Sequence, residues 1–174
     1  CGNTGMQTTA ANRPRYVAAS GGFAEAVAFD PSSAGQFFDC GSTGTRYGTQ
    51  NSVAVMVGRF GALGERQTTV LGGSSFEAVV GTDCRMRASG ISVAIDGCAS
   101  PSFYAWAAGA SEFRAYRDTL SAAGAAITSA SGQGTYIGRR QAASDNFMVG
   151  YIQDLLVFQD PDLDATGVRE LYDS

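Results

Sequence analysis

Ser52-Val53-Ala54-Val55-Met56-Val57-Gly58-Arg59-Phe60 is the stretch that decides the fold class. In an extended chain Val53, Val55 and Val57 fall on one face, with Ala54 and Met56 on the other. Both faces are apolar, so the strand must be covered on both sides, as a central strand of a sandwich is. Toward the C-terminus, short strand-like runs follow at residues 67–71, 76–80, 85–89, 91–96, 103–107 and 112–117. Gly72, Gly73, Gly81, Gly90 and Gly97 punctuate them, and an Asp118-Thr119 turn ends the last. Toward the N-terminus, residues 13–17 suit an edge strand opened by Pro14. Residues 23–30 follow, with Val27 and Phe29 on one face, and then a short apolar segment at 36–40. The Ala/Ser/Gly-rich stretch 121–134 reads as a loose loop or a weak edge strand. Residues 135–139 and 148–159 close the β portion. Only 165–172 has helical spacing, through Val168, Leu171 and Tyr172 with Asp164 as N-cap. The pattern predicts an all-β, two-sheet antiparallel sandwich with a short C-terminal helix.

The 174 residues amount to one domain, long enough to bury a core without metals or disulfides. Basic residues number 12 against 16 acidic, giving a net charge of −4. All 12 are arginine, a usage that fits a GC-rich genome, and none of them form the basic stripe that nucleic acid requires. Histidine is absent, which excludes a Ser-His-Asp triad, a Cys-His pair and histidine-ligated zinc. No apolar run reaches the roughly 18 residues of a transmembrane helix. The sequence shows no signal peptide or initiator methionine, so a chain starting at Cys1 is expected to be processed or part of something longer.

Cys1, Cys40, Cys84 and Cys98 allow three pairings, and none of them forms a CxxC. A hairpin of residues 85–89 and 93–97 brings Cys84 and Cys98 opposite each other, within reach of a disulfide, which leaves Cys1 and Cys40 as the second pair. Four reduced, buried thiols are the alternative. A disulfide implies a life outside the cytosol.

Gly134-Thr135-Tyr136-Ile137-Gly138, then Phe147-Met148-Val149-Gly150-Tyr151-Ile152-Gln153-Asp154-Leu155-Leu156-Val157-Phe158, then Leu163-Asp164 and the helix ending Leu171-Tyr172, form an ordered signature. It resembles the closing signature of the laminin G-like, concanavalin A-like lectin domains, with Met148 where the pattern has Phe and Asp164 where it has Ser. The lead-in Gly2-Asn3 through Thr9-Ala10-Ala11-Asn12-Arg13-Pro14 resembles phage and environmental-bacterial members. So does Ala26-Val27-Ala28-Phe29-Asp30, with Pro31 where glycine is usual. The resemblance implies a jelly-roll topology over all 174 residues, beginning inside the family's domain without its first strand. Within the signature, Asp154 reads as a buried carboxylate bonded to neighbouring backbone.

Some relatives of this fold are glycosidases, whose branch carries an E-x-D-x-E strand. None of Glu25, Glu65, Glu77, Glu112 and Glu170 has a carboxylate two residues away, so no catalytic residue is assigned. Calcium is the one cofactor the sequence admits. Asp160 and Asp162 alternate with Asp164 like the start of a calcium loop, although Ala165 and Leu171 stand where an EF-hand needs Gly and Glu. Asp83 and Asp145 are alternative loop ligands. Sugar binding needs an exposed aromatic platform, for which Tyr47, Tyr104, Trp106 and Tyr116 are the candidates, with Trp106 equally suited to a core strand.

These observations predict a non-enzymatic binding or structural module. The resemblance to phage members points to a virion surface component, a capsid decoration or tail protein, that meets other virion proteins, glycans or further copies of itself. The alternative is a carbohydrate-binding module of a secreted or surface-anchored bacterial protein, with lipid anchoring through Cys1 as a third reading. In the terminal strand, alternation puts Ile152, Leu156 and Phe158 on one buried face and Leu155 and Val157 on the other, with the helix packed back beside them.

Overall fold

The computed structural model describes residues 8–20, 23–30, 35–40, 52–61, 68–72, 77–88, 91–96, 101–109, 111–127, 136–139, 147–159 and 165–173. After a short 3-10 helix at Ala10–Asn12, the first strands are β1 (Arg15–Ser20), β2 (Phe23–Phe29), β3 (Phe38–Asp39) and β4 (Ser52–Phe60). Next come β5 (Thr68–Gly72), β6 (Glu77–Val80), β7 (Arg85–Ala88), β8 (Ile91–Asp96) and β9 (Ser102–Ala108). The last are β10 (Glu112–Arg117), β11 (Leu120–Ala125), β12 (Tyr136–Ile137) and β13 (Gly150–Gln159), and helix α1 (Ala165–Asp173) follows. One sheet has seven strands in the order β1-β2-β13-β4-β9-β10-β11; the other has six, in the order β3-β12-β5-β6-β7-β8. Neighbouring strands are antiparallel, and the two layers form a concanavalin A-like sandwich. The Ala/Ser/Gly-rich stretch after Asp118 contains the edge strand β11, with Gly124 facing β8. A Cβ there would come within 2.8 Å of Ile91 Cγ2, so glycine lets the edge strand close on the second sheet.

The inner face of β4 is Ala54, Met56 and Phe60, buried with Tyr104, Trp106, Phe113, Val80, Met86 and Val93 between the sheets. Tyr104 stacks on Trp106 and meets Phe60 edge-on. The Trp106 indole N–H donates to the Val79 carbonyl of the opposite sheet at 3.4 Å, satisfying the one polar atom of a fully buried indole. At the rim, the Arg117 guanidinium reaches across from β10 to donate to the Asp96 carbonyl of β8 at 2.9 Å.

The valine face of β4 is buried as well, under a different cover. Val53 and Val55 pack with Phe103, Ala105, Ala107 and Tyr116 beneath Val168 of α1, with Leu171 against the same cluster. The helix therefore lies on the outer face of the seven-stranded sheet, mainly over β4, β9 and β10. Each valine it covers contributes roughly 1.5–3 kcal/mol relative to exposure.

The expected facing of β13 needs correction. Ile152 pairs with Gly58 and Asp154 with Val57, so Gln153 is an extra residue on β13, a β-bulge. The bulge shifts the alternation by one. Leu155 and Val157 join Ile152 against the core, while Leu156 turns outward and is 56% exposed. Phe158 pairs with Val53, and its side chain lies outside the described residues. Gly150, with φ +139°, begins the strand where a side chain would strike the Arg59 carbonyl, and Gly138, with φ +85°, sits against the Phe29 ring.

The expected Cys1–Cys40 pair is corrected too: Cys40 is a free, buried thiol. Cys84, with φ 61°, is disulfide-bonded. Cys1 and Cys98 lie outside the described residues.

Candidate functional site

The bulge at Gln153 has a consequence for the neighbouring strand. β2 and β13 pair at Gly150↔Phe29, Tyr151↔Ala28 and Ile152↔Val27, and among the described residues the ladder stops there although both strands continue. Beyond Ile152 the extra residue turns β13 toward β4 and away from β2, and a cleft of about 460 Å³ opens between them. Its lining is Tyr16 from β1, Glu25, Ala26 and Val27 from β2, and Gln153 and Asp154 from β13.

Register brings Tyr16 and Glu25 together, on the same face of β1 and β2 as Val27. Tyr16 stands opposite Val27 and Ala18 opposite Glu25, so Tyr16 and Glu25 are diagonal neighbours on one face. The Glu25 carboxylate beside the Tyr16 hydroxyl raises the phenol above its usual pKa. Tyr16 is 65% exposed. Gln153 and Asp154 are exposed, and among the described residues Asp154 has no hydrogen-bond or ion-pair partner. This corrects the expectation of a buried, backbone-bonded Asp154.

Asp154 also lines a second, adjoining groove of about 500 Å³ on the outer face, beside α1. That groove is mainly apolar, with Val55, Val57, Phe103, Leu156 and Leu171 in its walls. Its polar groups are Ser102 and Asp118. Asp118 is fixed by a reciprocal pair of bonds with Phe103. The Phe103 N–H donates to Asp118 Oδ1 at 3.0 Å, and the Asp118 N–H donates to the Phe103 carbonyl at 2.9 Å.

The aromatic platform expected from the sequence is corrected as well. Tyr104 and Trp106 are fully buried between the sheets, and Tyr116 is buried beneath α1. They are core because β9 and β10 are covered on both faces. Tyr47, Asp145, Asp160 and Asp162 lie outside the described residues. Asp83 is engaged by the Arg85 N–H at 3.2 Å and by Arg87 at 2.8 Å. No three metal-ligating side chains gather among the described residues. A second aromatic group, Phe37, Tyr136 and Phe147, is closed on itself. The Arg139 guanidinium lies 4.6 Å from the Phe37 ring centre and 4.4 Å from that of Tyr136, while Phe147 stacks on Phe37. The sequence did hold one signal for the cleft, a tyrosine and a glutamate on the first two strands, but their meeting with β13 depends on the bulge.

No family model and no curated protein matches the sequence. Solved structures do match. Trypanosoma rangeli sialidase in complex with the inhibitor DANA superposes with a TM-score of 0.59 at 13% identity, over 86% of this chain and 27% of that one. The same organism's sialidase in complex with sialic acid gives 0.54 at 10%, over 85% and 29%. At this identity the likeness concerns the fold, and the chain spans less than a third of each sialidase. It does overturn one expectation. The prediction of a non-enzymatic protein rested on missing catalytic patterns, whereas these two structures of similar fold are sialidases, which are enzymes. Missing histidine and a missing E-x-D-x-E strand speak only to particular catalytic routes.

Proposed function

We propose that this β-sandwich binds glycans in the cleft between β2 and β13. The observation that carries the reading is the exposed Tyr16, which lines one cleft with Glu25, Gln153 and Asp154. A sugar presents a C–H face that stacks on an aromatic ring and hydroxyls that pair with planar carboxylate and amide groups. The cleft supplies both. Two sialidase complexes of similar fold, with sialic acid and with an inhibitor, support a sugar-related setting for the fold. A glycan array probed with the full chain and with Asp154→Asn tests the reading. Saturable binding that the variant loses supports it, and an array silent for the full chain refutes it.

The lead-in resemblance to phage members favours a place on a virion surface, with glycan contact as the task performed there. Electron microscopy of particles carrying the protein should show many symmetric copies, and its absence from assembled particles removes that placement.

A further inference from the structure

Asp154 lines two adjoining grooves of opposite character, one polar (Tyr16, Glu25, Gln153) and one mainly apolar, walled by Leu156, Val57, Phe103 and Leu171. The charge along them has one sign: Glu25, Asp154 and Asp118 are carboxylates, and none of the described lining residues is an arginine. Arg117 is shared between Asp118, at 3.9 Å, and Asp96, whose carboxylate lies at 3.8 Å, so Asp118 is the one of the three that an arginine offsets. A carboxylate-bearing sugar would bring a further negative charge beside Glu25 and Asp154, where no described lining residue is a cation. An uncharged sugar or an amino sugar would meet the carboxylates, the Gln153 amide and the tyrosine ring.

The apolar groove makes a second demand. Leu156 is 56% exposed because the bulge turns it outward, and it stands beside the unpartnered Asp154. An exposed leucine in a concave apolar wall is surface that a ligand can cover with gain. The two grooves meet at Asp154, so a sugar held in the cleft at Asp154 can lay its apolar substituent over Leu156.

We propose, resting on the glycan reading above, that the ligand is a non-acidic sugar carrying an apolar aglycone, the chemistry shared by glycolipids and by alkyl or aryl glycosides. The Gln153 bulge sets this specificity by placing Asp154 and Leu156 side by side on the outer face.

The test uses the full chain and titration calorimetry with methyl lactoside, octyl lactoside below its micelle concentration, methyl glucosaminide, octyl glucosaminide and sialyllactose. The octyl glycosides should bind about tenfold tighter than their methyl counterparts, since covering part of an eight-carbon chain suffices for that factor. In Leu156→Asn the advantage should vanish while methyl-glycoside binding is kept, and in Tyr16→Ala both should fall. Sialyllactose should bind more weakly than methyl lactoside. Equal affinity of methyl and octyl forms, or a preference for sialyllactose, overturns this inference and leaves glycan binding standing. An octyl advantage unchanged in Leu156→Asn also overturns it. Failure of every probe, together with a silent array, removes the glycan reading and this inference with it. Vesicles containing a neutral glycolipid, compared with the soluble octyl glycosides, distinguish a membrane source from a free glycoside.

Discussion

Asp154 stands opposite Val57 although Ile152, two positions earlier, stands opposite Gly58, so one residue of β13 has no counterpart on β4. That single irregularity turns Leu155 inward, sends Leu156 outward and ends the pairing between β13 and β2. The cleft exists because of it.

Deleting Gln153 should therefore remove the cleft and leave the fold. The residues after the deletion keep their facing, because Asp154 then follows Ile152 in ordinary alternation and can continue the ladder toward Ala26. The expected outcome is a cooperative denaturant transition within about 1 kcal/mol of the parent, with glycan binding abolished. A loss above about 3 kcal/mol would mean that the bulge is structural.

Trp106 should behave as core. Trp106→Ala is expected to cost about 3–5 kcal/mol in urea unfolding through the cavity it leaves. Trp106→Phe should cost less, but more than its volume alone suggests, because the Val79 carbonyl loses its indole donor. Neither should change the apparent affinity of the folded fraction for a sugar.

The cover over the valine face can be loosened separately. Val168→Ala should destabilise α1 by about 2 kcal/mol. Amide exchange should rise along the helix while the β4, β9 and β13 amides keep their protection, as expected when a peripheral unit opens alone.

Cys40 gives a pH-dependent prediction. Burial pushes its thiol above the usual range, with the Asp39 charge acting in the same direction against the opposing N-terminal amine. A group whose folded pKa is raised contributes fully below its unfolded value, about 8.5, and the contribution is lost as pH rises through the folded one. Stability should be flat through neutral pH and fall above about pH 9. Iodoacetamide at pH 8 should modify Cys40 only when the chain is unfolded. Rapid native labelling would show an accessible thiol.

The sandwich was legible in the sequence because its signals are local. Alternation at β4, short glycine-bounded runs, and helical spacing at Val168 and Leu171 each act within a few residues, and β4, β8 and β10 lie where that reading put them. β13 misled because a bulge has no residue type of its own: Gln153 could equally continue a regular strand, and alternation then wrongly buries Leu156. Burial of Tyr104, Trp106 and Tyr116 was ambiguous for a related reason, since a strand covered on both faces and an exposed aromatic strand are written with the same residues. The cleft joins positions 16, 25 and 154, and only the strand order β1-β2-β13 makes them neighbours.

The most direct test of the central claim is a backbone-amide NMR titration with the best-binding glycan from the array. Shift changes are predicted to cluster at Tyr16, Glu25, Ala26, Gln153 and Asp154, extending to Leu156 and Phe103 when the sugar carries an apolar group. Changes centred instead on Phe37, Tyr136 and Arg139, or spread without a focus, would contradict the account.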